Sequence, residues 1–378
     1  MNEGIRIMWA KVEITHSDED LIYLPLSLTG EYREHIQIKF GGLNVRVKVR
    51  YADGAGLEGS TYDRPGALIL SDHLVEKLMI PRAPVYQIKI REGNLRIGPV
   101  IGFLLGSQTQ RYSPEHMEKY SDRFGIYHKV GGLIYAFSPR SIEWKKNAAF
   151  GLYYNIEKSK WEYGKFPLPE TIYRRDFHSD PEVIEKLIRY THGRLFNSYR
   201  FDKYELYRFV GQNEELKKYL PPTEIIESAG QVSDFIGRFP CSIIKPVDLS
   251  RGRGILVVET NEGGYKITDY RQKDPVVEHL DGDSMLNAFF ERNTELFSQH
   301  IIQKYLPLAS IGSSIFDVRV VMQKRVNHSW GCSGIECRVS NDDCLLTNIS
   351  KGGYALTLKH ALHKSFPDNG RQIPKKNS

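Results

Sequence analysis

From Ile5 to about residue 95, apolar and polar side chains alternate over short runs: Ile5 to Ile14, Ile36 to Phe40, and Val45 to Tyr51, where VRVKVRY has a period of two. Successive side chains of a strand point to opposite faces, so this period predicts half-buried β-strands. Asp53-Gly54-Ala55-Gly56 and Arg64-Pro65-Gly66 supply turn material between them. SDHLVEKLMI is the one stretch that reads as a helix, with Ser71 or Asp72 as its N-cap. The expectation for residues 1–95 is a small β-rich domain.

At Ile97 the pattern changes. IGPVIGFLLG is a continuous apolar run with glycines, which fits a buried strand. Helix around Glu115 to Arg123, strands at Gly132 to Phe137 and Phe150 to Asn155, and helix from Pro181 to Thr191 follow, so residues 96–196 read as an α/β domain. A third domain is expected over 197–378. Phe201 to Tyr219 reads as helix and stops before Pro221-Pro222, with a strand candidate at Thr223 to Glu227. Ser228 and Gln231 have capping-box spacing, and Val232, Phe235, Ile236 and Phe239 fall at i, i+3, i+4 and i+7, giving one apolar helix face that Pro240 ends. Strands at 241–244, 255–259 and 265–270 come next, separated by a glycine loop and by the turn Asn261 to Gly264. The fold class is a multi-domain mixture of α+β and α/β.

Composition adds bounds. A chain of 378 residues suits two or three domains; 40% hydrophobic and 26% charged residues are a soluble globular balance, and 22 Tyr with 17 Phe supply core area. The net charge of +6 is small and spread along the chain, without a dense basic block interleaved with aromatics, so nucleic acid is not the expected partner. The N-terminal MNEGIRIMWAKVEI is charged and strand-like, and no run approaches the ~18 apolar residues of a membrane span. These features point to a cytoplasmic protein at synthesis, with no membrane partner. Cys332, Cys337 and Cys344 are separated by gaps of four and six residues, which match no common zinc spacing; with Cys241 they read as reduced cysteines on strands.

The candidate chemistry lies in the third domain. Lys245 ends an apolar strand, from which an ammonium can reach a phosphate in a cleft. Ser250, Arg251, Gly252, Arg253 and Gly254 follow; the glycines let backbone approach a phosphate, and amides with two guanidiniums supply donors. No Gly-Lys-Ser/Thr ends this loop and a strand follows it, so it is neither a Walker A loop nor a dinucleotide fingerprint. Ile301 to Leu306 is a strand leading into Gln303, Lys304, Tyr305 and Leu306, whose backbone edge suits a purine. Asp317 and Arg319 share one face of a strand, as do Glu336 and Arg338. Thr347-Asn348-Ile-Ser-Lys-Gly-Gly353 offers an amide, hydroxyls and a lysine beyond a strand.

Taken in order, RFVGQN, YLPPTE, IIKPVDLSRGRGI, IIQKYLPLA, FDVRVVMQK and LLTNISKGGYAL resemble the ATP-grasp fold, and specifically the YheC/YheD family of endospore coat-associated proteins. The resemblance implies ATP as cofactor. Lys245 would contact its phosphates under the 250–254 loop, Lys304, Tyr305 and Leu306 would form the adenine hinge with Gln303 before it, and Asp317 would lie near the nucleotide. Arg319 would stand in the active-site wall, and Arg319 and Arg338 are the catalytic candidates. Leu346, Thr347 and Asn348 match a segment that contacts nucleotide in related glutamate-adding ligases. Such enzymes activate a carboxylate as an acyl phosphate for attack by an amine or thiol, with Mg²⁺ bridging the phosphates. Spore coat proteins are the implied partners, and the spore coat the implied destination. One departure stands out. After Tyr354 the sequence runs ALTLKHALHKSFPDNGRQIPKKNS, where the family continues to a metal-binding strand with Glu-x-Asn; Asp368-Asn369 sits in a turn-like PDNG instead. The expectation is therefore an incomplete ATP-grasp domain without Mg²⁺ ligands, with impaired ligase chemistry, and the competing expectation is a non-catalytic structural protein of the coat.

Overall fold

The computed structural model describes residues 7–52, 56–105, 112–175, 179–249, 252–272, 274–325, 327–341, 347, 349 and 352–367. The chain forms two compact units, Met1–Arg200 and Phe201–Ser378.

In the first unit, among the described residues, seven strands close a barrel: β1 (Met8–Thr15), β2 (Leu21–Leu24), β3 (His35–Phe40), β4 (Leu43–Tyr51), β5 (Gly66–Ser71), β6 (Tyr86–Arg91) and β7 (Asn94–Gly98), in the order β1-β5-β2-β4-β3-β7-β6. The period of two works as expected in β3, where Ile36, Ile38 and Phe40 are buried and their neighbours are not. Closure leaves no sheet edge to protect. A short helical turn, α1 (Leu26–Thr29), accompanies α2 (Asp72–Leu78). The cap of α2 is Ser71, whose hydroxyl accepts from the Leu74 amide.

A second sheet follows, β8 (Val100–Leu104), β9 (Leu133–Glu143), β10 (Ala148–Asn155), β11 (Lys160–Pro167), β12 (Thr171–Arg174) and β13 (Leu195–Phe196), ordered β11-β10-β9-β8-β12-β13. The apolar β8 lies inside it, parallel to both β9 and β12, which is why it reads as a continuous rather than alternating run. The helix expected around Glu115 to Arg123 is shorter: α3 (Pro114–Glu118) gives way to a 3₁₀ segment, Ser121–Lys129. The next helix, α4 (Pro181–Tyr190), is capped by Asp180. Barrel and sheet share one core, in which Phe40, Tyr86 and Ile97 are continuous with Val100, Tyr135, Phe137 and Leu187.

The β3–β4 turn, Gly41-Gly42, packs tightly against the end of α4. A Cβ on Gly42 would lie 1.3 Å from the Tyr190 hydroxyl oxygen, and the Gly42 amide donates to Leu168 O at 2.8 Å. Gly42→Ala is expected to destabilise this unit by roughly 1–3 kcal/mol through overpacking, read as a lower urea midpoint at unchanged slope.

In the second unit the helix expected from Phe201 to Tyr219 is broken into α5 (Lys203–Gly211) and α6 (Glu214–Lys217). The break has a local cause: the Asn213 side chain accepts from the amides of Glu215 and Leu216 and so starts a new helix. An antiparallel sheet runs β14-β19-β15-β16-β17-β18, comprising β14 (Thr223–Ile225), β15 (Cys241–Pro246), β16 (Leu256–Asn261), β17 (Gly264–Asp269), β18 (Val276–Leu280) and β19 (His300–Lys304). Two helices share its core, α7 (Ala229–Arg238) through Val232, Phe235 and Ile236, and α8 (Gly282–Arg292) through Leu286, Phe289 and Phe290. Each fully buried Phe there stabilises by about 1.5–3 kcal/mol. Ser228 caps α7 from the Gln231 amide, but the Gln231 side chain accepts from the Glu227 amide, one residue before the expected partner. A second sheet, β20 (Ser310–Ile311), β21 (Ser314–Lys324), β22 (Trp330–Val339) and β23 (Tyr354–Leu356), has a smaller core with α9 (Leu358–Ser365): Phe316, Cys337, Val339 and Ala361. The far half of the β21–β22 ribbon leaves Val320, Met322 and Ile335 exposed.

Candidate functional site

Burial alternates along β15. Ser242, Ile244 and Pro246 are buried on one face, and Cys241, Ile243 and Lys245 are half-buried on the other. Cross-strand register sets Ile243 opposite Gln303 and Thr223 opposite the same Gln303. The Lys245 ammonium donates to Gln303 Oε1 at 2.9 Å, Gln303 Nε2 donates to Thr223 Oγ1 at 2.7 Å, and that hydroxyl donates to Pro221 O at 2.8 Å. The relay fixes the Gln303 amide with its oxygen toward the lysine. Burial, then the charge of Lys203, pushes the Lys245 amine below the ordinary lysine range. A cation held in so poor a solvent gains strongly from an anion such as a phosphate.

Lys203, for which no sequence motif predicts a role, anchors the chain leaving β15. It opens α5, whose capping box joins Asp202 and Glu205. Its amide donates to Val247 O at 3.0 Å, and its ammonium donates to Pro246 O at 2.5 Å and to the carbonyls of Val247 and Leu249. The glycine loop then folds back on the strand end. Gly252 and Gly254 have φ of 68° and 73°, and a Cβ on Gly254 would sit 2.6 Å from Pro246 Cγ. Arg253 is exposed, while Ser250 and Arg251 lie outside the described residues. Lys203→Met is expected to raise the rate of tryptic cleavage at Arg251 or Arg253 by roughly threefold or more, because the loop base loses its tether; an unchanged rate would show that the anchor is dispensable.

At the end of β19 the Lys304 amide donates to Pro222 O at 2.9 Å and the Tyr305 amide to Cys241 O at 3.0 Å. Both amides are engaged inside the sheet. Pro222 has no N–H to return to the Lys304 carbonyl, so the proline leaves that oxygen without its ladder donor. The Lys304 ammonium lies 5.6 Å from the Phe239 ring centre, burial raises the Tyr305 phenol, and Leu306 is 47% exposed.

A second cluster is built on β21 and β22. Asp317 stands opposite Arg338, and Arg319 opposite Glu336, so all four side chains share a face. Arg338 grips Asp317 with Nε at 2.8 Å and Nη2 at 2.5 Å, one bond to each carboxylate oxygen, and Thr347 Oγ1 donates to the second oxygen at 2.6 Å. Burial alone would raise the Asp317 carboxyl, but the bonds from Arg338 and Thr347 outweigh it and hold the group below its ordinary range. The structure thus unites Asp317, Arg338 and Thr347, with exposed Arg319 close enough to contribute charge. Leu346 and Asn348 lie outside the described residues.

Mg²⁺ fits this set poorly. Both Asp317 oxygens already accept from Arg338 or Thr347, and among the described residues no group of three or more His, Cys, Asp or Glu converges on a metal position. Cys241, Cys332 and Cys337 are free thiols, and Cys344 lies outside the described residues. No helix among the described residues is long and apolar enough to cross a membrane.

Residues 192–377 match the family described as YheC/D like ATP-grasp. This part of the chain is a YheC/D-like ATP-grasp domain. Similarity to the proteins for which that family is named extends further. The chain is 24% identical over 360 residues to endospore coat-associated protein YheD of Bacillus subtilis, covering 92% of this chain and 76% of that protein. It is 24% identical over 266 residues to YheC of the same organism, covering 68% and 71%. Among solved structures, D-alanyl-alanine synthetase A from Vibrio cholerae aligns at 8% identity with a TM-score of 0.36, over 70% of this chain and 77% of that one. In this ATP-grasp domain, β15, β19 and the glycine loop carry the Lys245 constellation, and β21 and β22 the Asp317 constellation.

Proposed function

We propose that this chain binds ATP through its YheC/D-like ATP-grasp domain and serves in the endospore coat, as the names of its two Bacillus subtilis relatives describe for them. The observation that carries ATP binding is the half-buried Lys245 ammonium, positioned by Gln303 at the base of a glycine loop with no carboxylate bonded to it among the described residues. In this reading the Lys245 charge meets the phosphates, the glycines at 252 and 254 let the loop approach them, and the Lys304 carbonyl accepts from the purine amino group. Carboxylate–amine ligation through an acyl phosphate is the reaction class, with Arg319 facing the transferring charge. Turnover is expected to be weak, since Asp317 is already closed by the bonds it accepts from Arg338 and Thr347.

The same closed network favours a second reading, a non-catalytic structural protein of the coat that keeps the domain as a scaffold. Thermal unfolding of the intact chain with increasing ATP separates the two. ATP binding predicts a midpoint that climbs with concentration, by about 2.7 kcal/mol of stability at a hundredfold excess over Kd. A midpoint indifferent to ATP and to Mg-ATP would leave only the scaffold.

A further inference from the structure

The first unit contains a cavity of about 370 Å³ lined by the β3–β4 turn, Glu170 and the end of α4. That size falls in the range of roughly 300–1,000 Å³ usual for small-ligand sites. Its inner wall is polar and incompletely bonded. The Glu170 side chain is 3% exposed and takes a bond from Arg96 at 2.7 Å on Oε2, while its other oxygen, Oε1, has no partner among the described residues. The Tyr190 hydroxyl is also buried without one among the described residues; burial, and then the nearby Glu170 charge, raises the phenol to about 12. Buried polar atoms left unbonded are uncommon and point to a missing partner. Here the missing partner must donate, since Glu170 can only accept. Gly42 leaves room at this wall for the Tyr190 hydroxyl, as no other residue could.

The rim has the opposite character. Lys39, Arg189 and Arg194 are exposed cations lining the same cavity. Arg194 is held in place, its Nε donating to Glu170 O at 3.1 Å, and Arg189 has a 3.6 Å contact with Glu185 along α4. Against these three charges stand Glu185, which faces Arg189, Glu170, already matched by Arg96, and about half a negative charge from the C-terminal end of α4. The balance stays positive, which favours an anion over a zwitterion.

We propose that this cavity is a binding site for a small phosphate ester of a polyol, such as a sugar phosphate, with the phosphate on Lys39, Arg189 and Arg194 and ligand hydroxyls donating to Glu170 Oε1 and Tyr190. It is separate from the ATP site and does not depend on that reading. Both the cavity and its ligand contacts lie within the first unit.

Calorimetric titration of the intact chain with ribose 5-phosphate, inorganic phosphate, ribose and alanine tests it. Ribose 5-phosphate is expected to bind more tightly than the other three. Arg194→Met weakens both phosphates by about tenfold, whereas Tyr190→Phe weakens ribose 5-phosphate about tenfold and leaves inorganic phosphate unchanged. The midpoint of unliganded Tyr190→Phe stays at or above that of the natural chain, because the change removes an unbonded hydroxyl. Lys245→Ala leaves ribose 5-phosphate binding intact; its loss there would place the probe in the ATP site and overturn the proposal. So would inorganic phosphate or alanine binding as tightly as ribose 5-phosphate, or no heat at about 10 mM probe, an affinity too weak for a built site.

Discussion

Lys245→Ala cuts the affinity of the intact chain for ATP by about 10- to 100-fold, the worth of a charge-assisted hydrogen bond of roughly 1.5–3 kcal/mol. The physical ground is the setting of the amine: burial and the neighbouring Lys203 charge both disfavour its ammonium form until an anion arrives. At an ATP concentration a hundredfold over the original Kd, stabilisation should fall from about 2.7 kcal/mol to about 0.4–1.4 kcal/mol. The unliganded midpoint should change little, because the substitution removes a half-buried cation and leaves Gln303 bonded to Thr223. Differential scanning fluorimetry across an ATP series reads both quantities. An undiminished ATP shift in the variant would remove Lys245 from the site.

Asp317→Ala lowers the stability of the second unit by about 2–3 kcal/mol at neutral pH, since it strands a largely buried guanidinium and a buried hydroxyl. Arg338 and Thr347 both donate to this one carboxylate, so neither has its partner once the side chain is cut back. The pH dependence has a definite sign. The folded carboxyl is depressed below its unfolded value of about 3.9, so its contribution is complete above that pH and is lost as pH falls through the lower folded value. Urea unfolding of natural and Asp317→Ala chains should therefore differ most at pH 5–8 and converge toward pH 2–3. A double-mutant cycle with Arg338→Met isolates the pair. Independent, additive losses in that cycle would show that the ion pair contributes nothing beyond packing.

Much of the second unit was readable along the chain because the signals are local. The stripe Val232, Phe235, Ile236 faces the core as its spacing predicts, and the alternation through Lys245 puts the lysine on the face away from it. The face-sharing of Asp317 with Arg319 and of Glu336 with Arg338 likewise follows from the strand period alone. Which charge meets which did not. Asp317 meets Arg338, 21 residues away, rather than Arg319 two residues along, because antiparallel register brings them opposite each other. Asn213 carries a local signal as well, a helix cap inside the apolar-periodic stretch from Phe201 to Tyr219.

By itself, then, the sequence determined local periods and turns: which residues form β3, β15, β16 and β17, which face of α7 is apolar, and that a lysine precedes a glycine loop. Those properties depend on neighbours within a few residues, where backbone sterics and side-chain spacing act directly. The tertiary structure alone decided that Thr223 and Gln303 orient Lys245, that Lys203 ties down the loop base, that Arg338 closes on Asp317, and that Glu170 and Tyr190 meet across the Gly41-Gly42 turn. Each of these contacts joins residues 20 to 148 positions apart, fixed by strand register and core packing, on which short-range pattern carries no information.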